Sequence, residues 1–107
     1  MTHDKIKALD VLIAAVEVNI WYGDMSQIFG HDKHMKAYKA FCGSLDASKA
    51  LHEELLPDLL WEITPLGNVY IRDIEYNQLS RAFVTSSPAR AWLIAILKAY
   101  RAQMEAS

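Results

Sequence analysis

The chain changes its period at Pro57, and this change limits the fold more than any other feature. Before Pro57, apolar residues recur at three- and four-residue steps, as on a helix; after it they alternate, as on a strand. From Asp4 to about Trp21, Ile6, Leu9, Ile13, Val16 and Ile20 fall on one stripe. Asp4 suits an N-cap, and Gly23 suits a turn. The other side of this helix carries Val11, Ala14, Ala15 and Val18, a second apolar strip that predicts either a sandwiched helix or one used for association. Met25, Ile28 and Phe29 predict a short helix ending near Gly30. Met35, Tyr38, Phe41 and Cys42 predict another, stopped by Gly43. Ser44 then caps a helix over about 45–56, with Leu51 and Leu55 inward beside Ala47 and Ala50, and Pro57 stops it.

Beyond Pro57, "LLWEI", "VYIRDI" and "LSRAFV" are rich in β-branched and aromatic residues and read as strands. "TPLGN" reads as a type I turn with Pro65 second and Gly67 fourth, and "EYNQ" links the second and third strands. A last helix opens on Ser87 as N-cap with Pro88 in the first position and runs to about Gln103. The expectation is a helix-rich α+β domain. A three-stranded antiparallel sheet, at about residues 59–84, packs against N-terminal helices and a long C-terminal helix. With 107 residues and 52% hydrophobic content, the chain reads as one globular domain, 1–107.

Composition closes several routes. The formal charge of -2, from 11 basic and 13 acidic residues, argues against a protein that coats nucleic acid and equally against an acidic mimic of one. A single cysteine, Cys42, forms no disulfide within the chain and no thiolate cage; a buried, inert thiol is its default reading. The first residues lack the pattern of a secretion signal, and the apolar runs are too short to span a bilayer, so the expectation is a cytoplasmic protein without a membrane partner.

Two segments, "GSLDASKALHEELLPDLLWEI" and "SSPARAWLIAILKAYRAQ", carry a resemblance. Together they resemble small proteins of temperate phages and prophages and are similar to the phage αβα-sandwich domain family. That family shows a helix opening on "SLDAA", a leucine-rich end before a proline, a tryptophan-bearing strand and a final "PARAxLxAxLxA" helix. The resemblance covers Gly43 to about Gln103. "LLPDLLWEI" departs from the common form, in which glycine and tryptophan follow the proline, so the start of the first strand stays open. The resemblance implies a small helix-and-sheet fold, a phage origin and a place in the host cell cytoplasm. It brings no catalytic residues.

Each candidate site has a plainer reading beside it. "HDKH" offers His31, Asp32 and His34 as ligands for a divalent metal, but no second cluster accompanies them, and a polar loop leading into a helix accounts for them. His52 beside Glu53 forms no dyad, because adjacent helical positions point about 100° apart; a solvated helix face is the reading there. Ser44, Ser86 and Ser87 sit in no nucleophile elbow. "SSPAR" is the strongest ligand signal: free N–H groups at a helix start favour an anion. Ser86, Ser87 and Arg90 add donors there, Arg81 and Arg72 on neighbouring strands add charge, and Trp61 or Tyr70 offer a ring for a base. An ordinary cap with surface arginines is the plainer alternative. On the last helix, Arg90, Lys98 and Arg101 fall on one face with Ile94 among them. Unless another layer covers Ile94, it joins Val11 and Val18 as an oligomer contact.

The leading expectation is therefore a phage-encoded, non-enzymatic accessory protein, without cofactor, that counters host defence by sequestering a small nucleotide-like anion. The alternative is an inhibitor that blocks a host defence protein by surface contact, as anti-CRISPR proteins do. A small hydrolase built on His52, Glu53 and "HDKH" ranks third. A homo-oligomer is expected in any case.

Overall fold

The computed structural model describes residues 2–21, 26–84 and 86–106; Gly23, Met25 and Thr85 lie outside these ranges. Four helices come first: α1 (Thr2–Glu17), α2 (Ser26–Phe29), α3 (His31–Phe41) and α4 (Leu45–Leu55). Strands β1 (Leu60–Ile63), β2 (Asn68–Arg72) and β3 (Gln78–Phe83) follow, and α5 (Pro88–Ala106) closes the chain. The strands form one antiparallel sheet in the order β1-β2-β3. The fold is α+β, and the period change at Pro57 marks the switch from helices to sheet.

The middle of α5 is apolar on every side, and Ala91 through Leu97 are buried without a break. A helix of this kind has no face to offer water and must be surrounded. Helices α1, α3 and α4 pack around it, and β2 and β3 lie across it. The large side chains Trp92, Leu93, Ile94, Ile96 and Leu97 are all buried, and each contributes about 1.5–3 kcal/mol of hydrophobic stabilisation. On the sheet, Val69, Ile71, Ser80 and Ala82 alternate inward to meet this helix. Two buried serines tie it in place: the Ser80 hydroxyl donates to the Ala95 carbonyl at 2.7 Å, and the Ser48 hydroxyl donates to the Ala89 carbonyl at 2.9 Å.

The helix ends explain the short connections. At the end of α3 the Gly43 N–H donates to Ala40 and the Ser44 N–H to Lys39, with Gly43 at φ 111. This is a Schellman stop, which needs a residue tolerant of positive φ. Ser44 at once begins α4, its hydroxyl accepting the Ala47 N–H at 3.1 Å. Helix α1 ends in the same way but at Glu17, short of Trp21: Asn19 at φ 64 takes the left-handed position, and the Ile20 N–H reaches back to Ala15. Asn substitutes for Gly there. Asp4 lies in the first turn rather than at the cap. Ile20, placed on the inner stripe by periodicity, lies past this stop and is exposed, while Leu12 joins Leu9, Ile13 and Val16 inside.

Both hairpins use a three-residue loop. In the first, the Gly67 N–H donates to Thr64 and the Thr64 N–H to Asn68; in the second, the Tyr76 N–H donates to Asp73 and the Asp73 N–H to Asn77. Each is a type I turn followed by one residue at positive φ. Gly67 fills that place in the first at φ 93, and Tyr76 fills it in the second at φ 66. The Asp73 carboxylate holds the second loop by accepting the N–H groups of Glu75 and Asn77, each at 2.9 Å. These bonds, that from Asn77 above all, hold its pKa below the usual carboxylate value.

A left-handed conformation costs a residue with a Cβ about 1–2 kcal/mol, while glycine's extra unfolded-state freedom costs about 0.5–1 kcal/mol. Tyr76 is exposed, so little packing is lost on replacing it. Tyr76→Gly is expected to raise the urea midpoint by a gain of up to about 1 kcal/mol, and Tyr76→Val to lower it. Equal midpoints for the two variants would show that this turn is not strained.

Candidate functional site

One face of the sheet meets α5, and the other is open. By register, Leu60 lies opposite Arg72, Glu62 opposite Tyr70, Tyr70 opposite Arg81, and Asn68 opposite Phe83. Cross-strand partners share a face, so Leu60, Glu62, Tyr70, Arg72, Arg81 and Phe83 stand together on the outer side. Leu60 and Phe83 are among the exposed large hydrophobics, while Tyr70 and Arg72 are half-buried among their neighbours. The Arg72 guanidinium lies 5.0 Å from the centre of the Tyr70 ring and pairs with Glu62 at 3.4 Å. Among the described residues Arg81 has no ion pair or side-chain hydrogen bond. The result is a surface of rings and guanidinium groups spread over three strands. The register shift between Ile71 and Arg72 leaves Leu79 as an extra residue in β3, where it too is exposed.

The structure gathers three of the expected ligand residues here, Tyr70, Arg72 and Arg81. It does not gather the rest. Trp61 lies opposite Ile71 on the inner face and packs on His52 and Trp92. Ser87 is engaged as the cap of α5, its hydroxyl accepting the Arg90 N–H at 3.1 Å, and Pro88 has no N–H. The Arg90 guanidinium donates to the Asn19 side chain and lies 6.0 Å from the Phe41 ring centre. Arg90 therefore fastens the end of α1 to the start of α5. Ser86 is exposed, but neither the open face nor Trp61 converges on it. Alternation along β3 is the signal that would have added Phe83 to Arg81 and Tyr70.

The expected association surface is corrected in part. Val11 and Val18 are exposed on and just past α1, at 46% and 66%, but Ile94 is only 2% exposed. Helix α1 covers the basic face of α5: Lys98 pairs with Glu17 at 3.3 Å, and Arg101 pairs with Asp10. Ile94 instead lines a small cleft, of about 210 Å³, with Glu17, Lys98 and residues 81–84.

His52 is also corrected. It faces inward, 1% exposed, and not to solvent. Its Nε2 lies 2.9 Å from the Leu59 carbonyl and its Nδ1 lies 3.2 Å from the Trp92 indole nitrogen. The indole N–H donates only, so Nδ1 accepts and Nε2 carries the proton. The ring is held as one neutral tautomer between Trp61 and Trp92, with both nitrogens engaged and neither free for a substrate proton. Burial lowers its pKa, against the smaller opposing pulls of the Leu59 carbonyl and Glu53.

Cys42, read as buried, is exposed at the C-cap of α3. His31, Asp32 and His34 open α3. Asp32 pairs with Lys36 at 2.9 Å, and His34 packs beside Trp21. Among the described residues no three His, Cys, Asp or Glu side chains converge as a metal site, and no helix is long and apolar enough to cross a membrane. No family model, curated protein or solved structure matches the chain.

The His52 geometry makes stability depend on pH. The folded ring resists protonation more than the unfolded one, so below about pH 6.5 the unfolded chain binds the extra proton first. Stability is full above that pH and falls as pH drops towards the folded pKa. His52→Gln is expected to melt lower at pH 7 but to show a flatter fall between pH 7 and 5, followed by circular dichroism. Parallel curves for the two proteins would show that His52 does not titrate on unfolding.

Proposed function

We propose that this is a non-enzymatic binding protein that acts by surface contact with a macromolecular partner, through the open face of its sheet. The carrying observation is the cluster of Leu60, Tyr70, Arg72, Arg81 and Phe83 on the face of the sheet turned away from α5. Aromatic residues and Arg are the types that anchor protein interfaces, and no Lys stands among the face residues. Small-molecule sites are concave and enclose most of their ligand, whereas these residues are spread across three strands of one sheet face. The resemblance of residues 43–103 to phage proteins makes a host defence protein in the cytoplasm the partner of choice.

A second reading has its own support. Tyr70 and Phe83 offer rings, and Arg81 offers a charge unpaired among the described residues, on which a nucleotide-like anion could stack and pair. Calorimetry with a panel of mono-, di- and cyclic nucleotides separates the readings, since saturable binding lost in Arg81→Ala would favour sequestration.

Association of two copies through Val11 and Val18 is a further part of the proposal, since exposed apolar pairs of this kind mark contact surfaces. A dimer by light scattering that dissociates in a Val11→Glu, Val18→Glu variant is expected. A monomer at high concentration would remove it.

The main test uses a tagged protein in host cells, with Tyr70→Glu and Arg72→Glu introduced together. A stoichiometric partner is expected with the original chain and should fall by roughly tenfold or more with the variant, as loss of hot-spot contacts gives, while the melting temperatures agree. Equal partner recovery with both proteins would place the interface elsewhere.

A further inference from the structure

The sheet has an open edge as well as an open face. In the first hairpin the Thr64 N–H donates to the Asn68 carbonyl, so Asn68 aims its main-chain groups at β1. In the second, the Asp73 N–H donates to Asn77, so Asp73 aims its groups towards β3. Main-chain direction alternates along a strand, so Val69 and Ile71 also face β3. Their partners Ala82 and Ser80 direct their N–H and C=O groups to β2. Arg81 and Phe83 then aim theirs away from the sheet, along the side of β3 that pairs with no strand among the described residues. Beside this edge lies the cleft of about 210 Å³ lined by residues 81–84, Glu17, Ile94 and Lys98.

We infer that the outer edge of β3 receives an extended peptide as a fourth strand, with an apolar side chain turned in towards Ile94 and an acidic side chain turned out beside Arg81. Three features point to this occupant. The main-chain groups of Arg81 and Phe83 are spaced to pair with a strand, the mode by which many domains capture extended peptides. A residue next to Ala82 on the added strand shares its inward face and enters the cleft over Ile94. A residue next to Arg81 meets the guanidinium that has no partner among the described residues, and a carboxylate completes it. A second copy of β3 suits the edge less, because that strand, QLSRAF, carries no carboxylate to meet Arg81.

The inference rests on the reading that the protein acts by surface contact, but it concerns the edge rather than the face, so the two fail separately. The probe is an acetylated, amidated heptapeptide alternating Val and Glu, compared with one alternating Val and Lys, titrated into the whole chain and followed by amide hydrogen exchange. The Val–Glu peptide is expected to bind more tightly by roughly tenfold. It should slow exchange at the Arg81 and Phe83 amides and leave the Ala82 amide, already bonded to β2, unchanged. Arg81→Glu should invert the preference between the peptides. Phe83→Pro should abolish binding, since it removes one outward N–H while sparing the ladder to β2; if that variant does not fold, Arg81→Glu decides. Binding without slowed exchange at Arg81 and Phe83, equal binding of both peptides, or no binding at millimolar peptide would each overturn the edge proposal. The double variant at Tyr70 and Arg72 would still test the face.

Discussion

Helix α5 buries Ala91 through Leu97 without interruption, so every side of its middle turns has to be covered. A sheet covers one side of a helix, and a single helix covers another; neither alone closes the circle. The chain answers with β2 and β3 on one side and α1, α3 and α4 on the others. This demand also explains why the sheet keeps an open face. The small sheet gives its inner side to this cover, and its outer side, with Leu60 and Phe83 exposed, is left over.

Surrounding a helix so completely leaves little water for polar groups, and those inside are accordingly paired. Ser48 and Ser80 each donate to a carbonyl of α5, and His52 has a partner at each ring nitrogen. Among the described residues no buried side-chain nitrogen or oxygen lacks a hydrogen bond. A buried polar atom without a partner costs about 1–3 kcal/mol, so these three residues orient the helices and sheet about α5 at little cost. Pairing of this kind also removes them from chemistry. The interior holds neutral, engaged groups, and the charged groups that remain lie at the perimeter.

Much of the fold was legible because its signals are local. Proline at 57, glycine at 43 and the serines at 44 and 87 act through backbone geometry within a few residues, and the ends they mark stand where expected. The end of α1 was misplaced because Asn19 can do a glycine's work in the left-handed position, and composition does not reveal when it does. The outward or inward turn of His52, Ile94 and Cys42 was not legible for a different reason. Each depends on an element distant in sequence: Trp92 and Leu59 for His52, α1 for Ile94, and the lack of any cover for Cys42. The candidate site was half legible. Tyr70, Arg72 and Arg81 come together because strand alternation is local, whereas the scatter of Trp61, Ser87 and Arg90 follows from which face α5 covers, and only the assembled layers show that.

Arg81 and Phe83 occupy a position that joins the two open surfaces. Their side chains belong to the face with Tyr70 and Arg72, while their main-chain groups belong to the edge. A partner that adds a strand to β3 therefore brings its outward side chains alongside that face, next to the guanidinium and the ring already there. Main-chain pairing is tolerant of sequence, and side-chain contact is selective. With both properties in the same two residues, six residues of strand offer an extended ligand a register and a choice of side chain. Neither a flat face nor a bare edge supplies both.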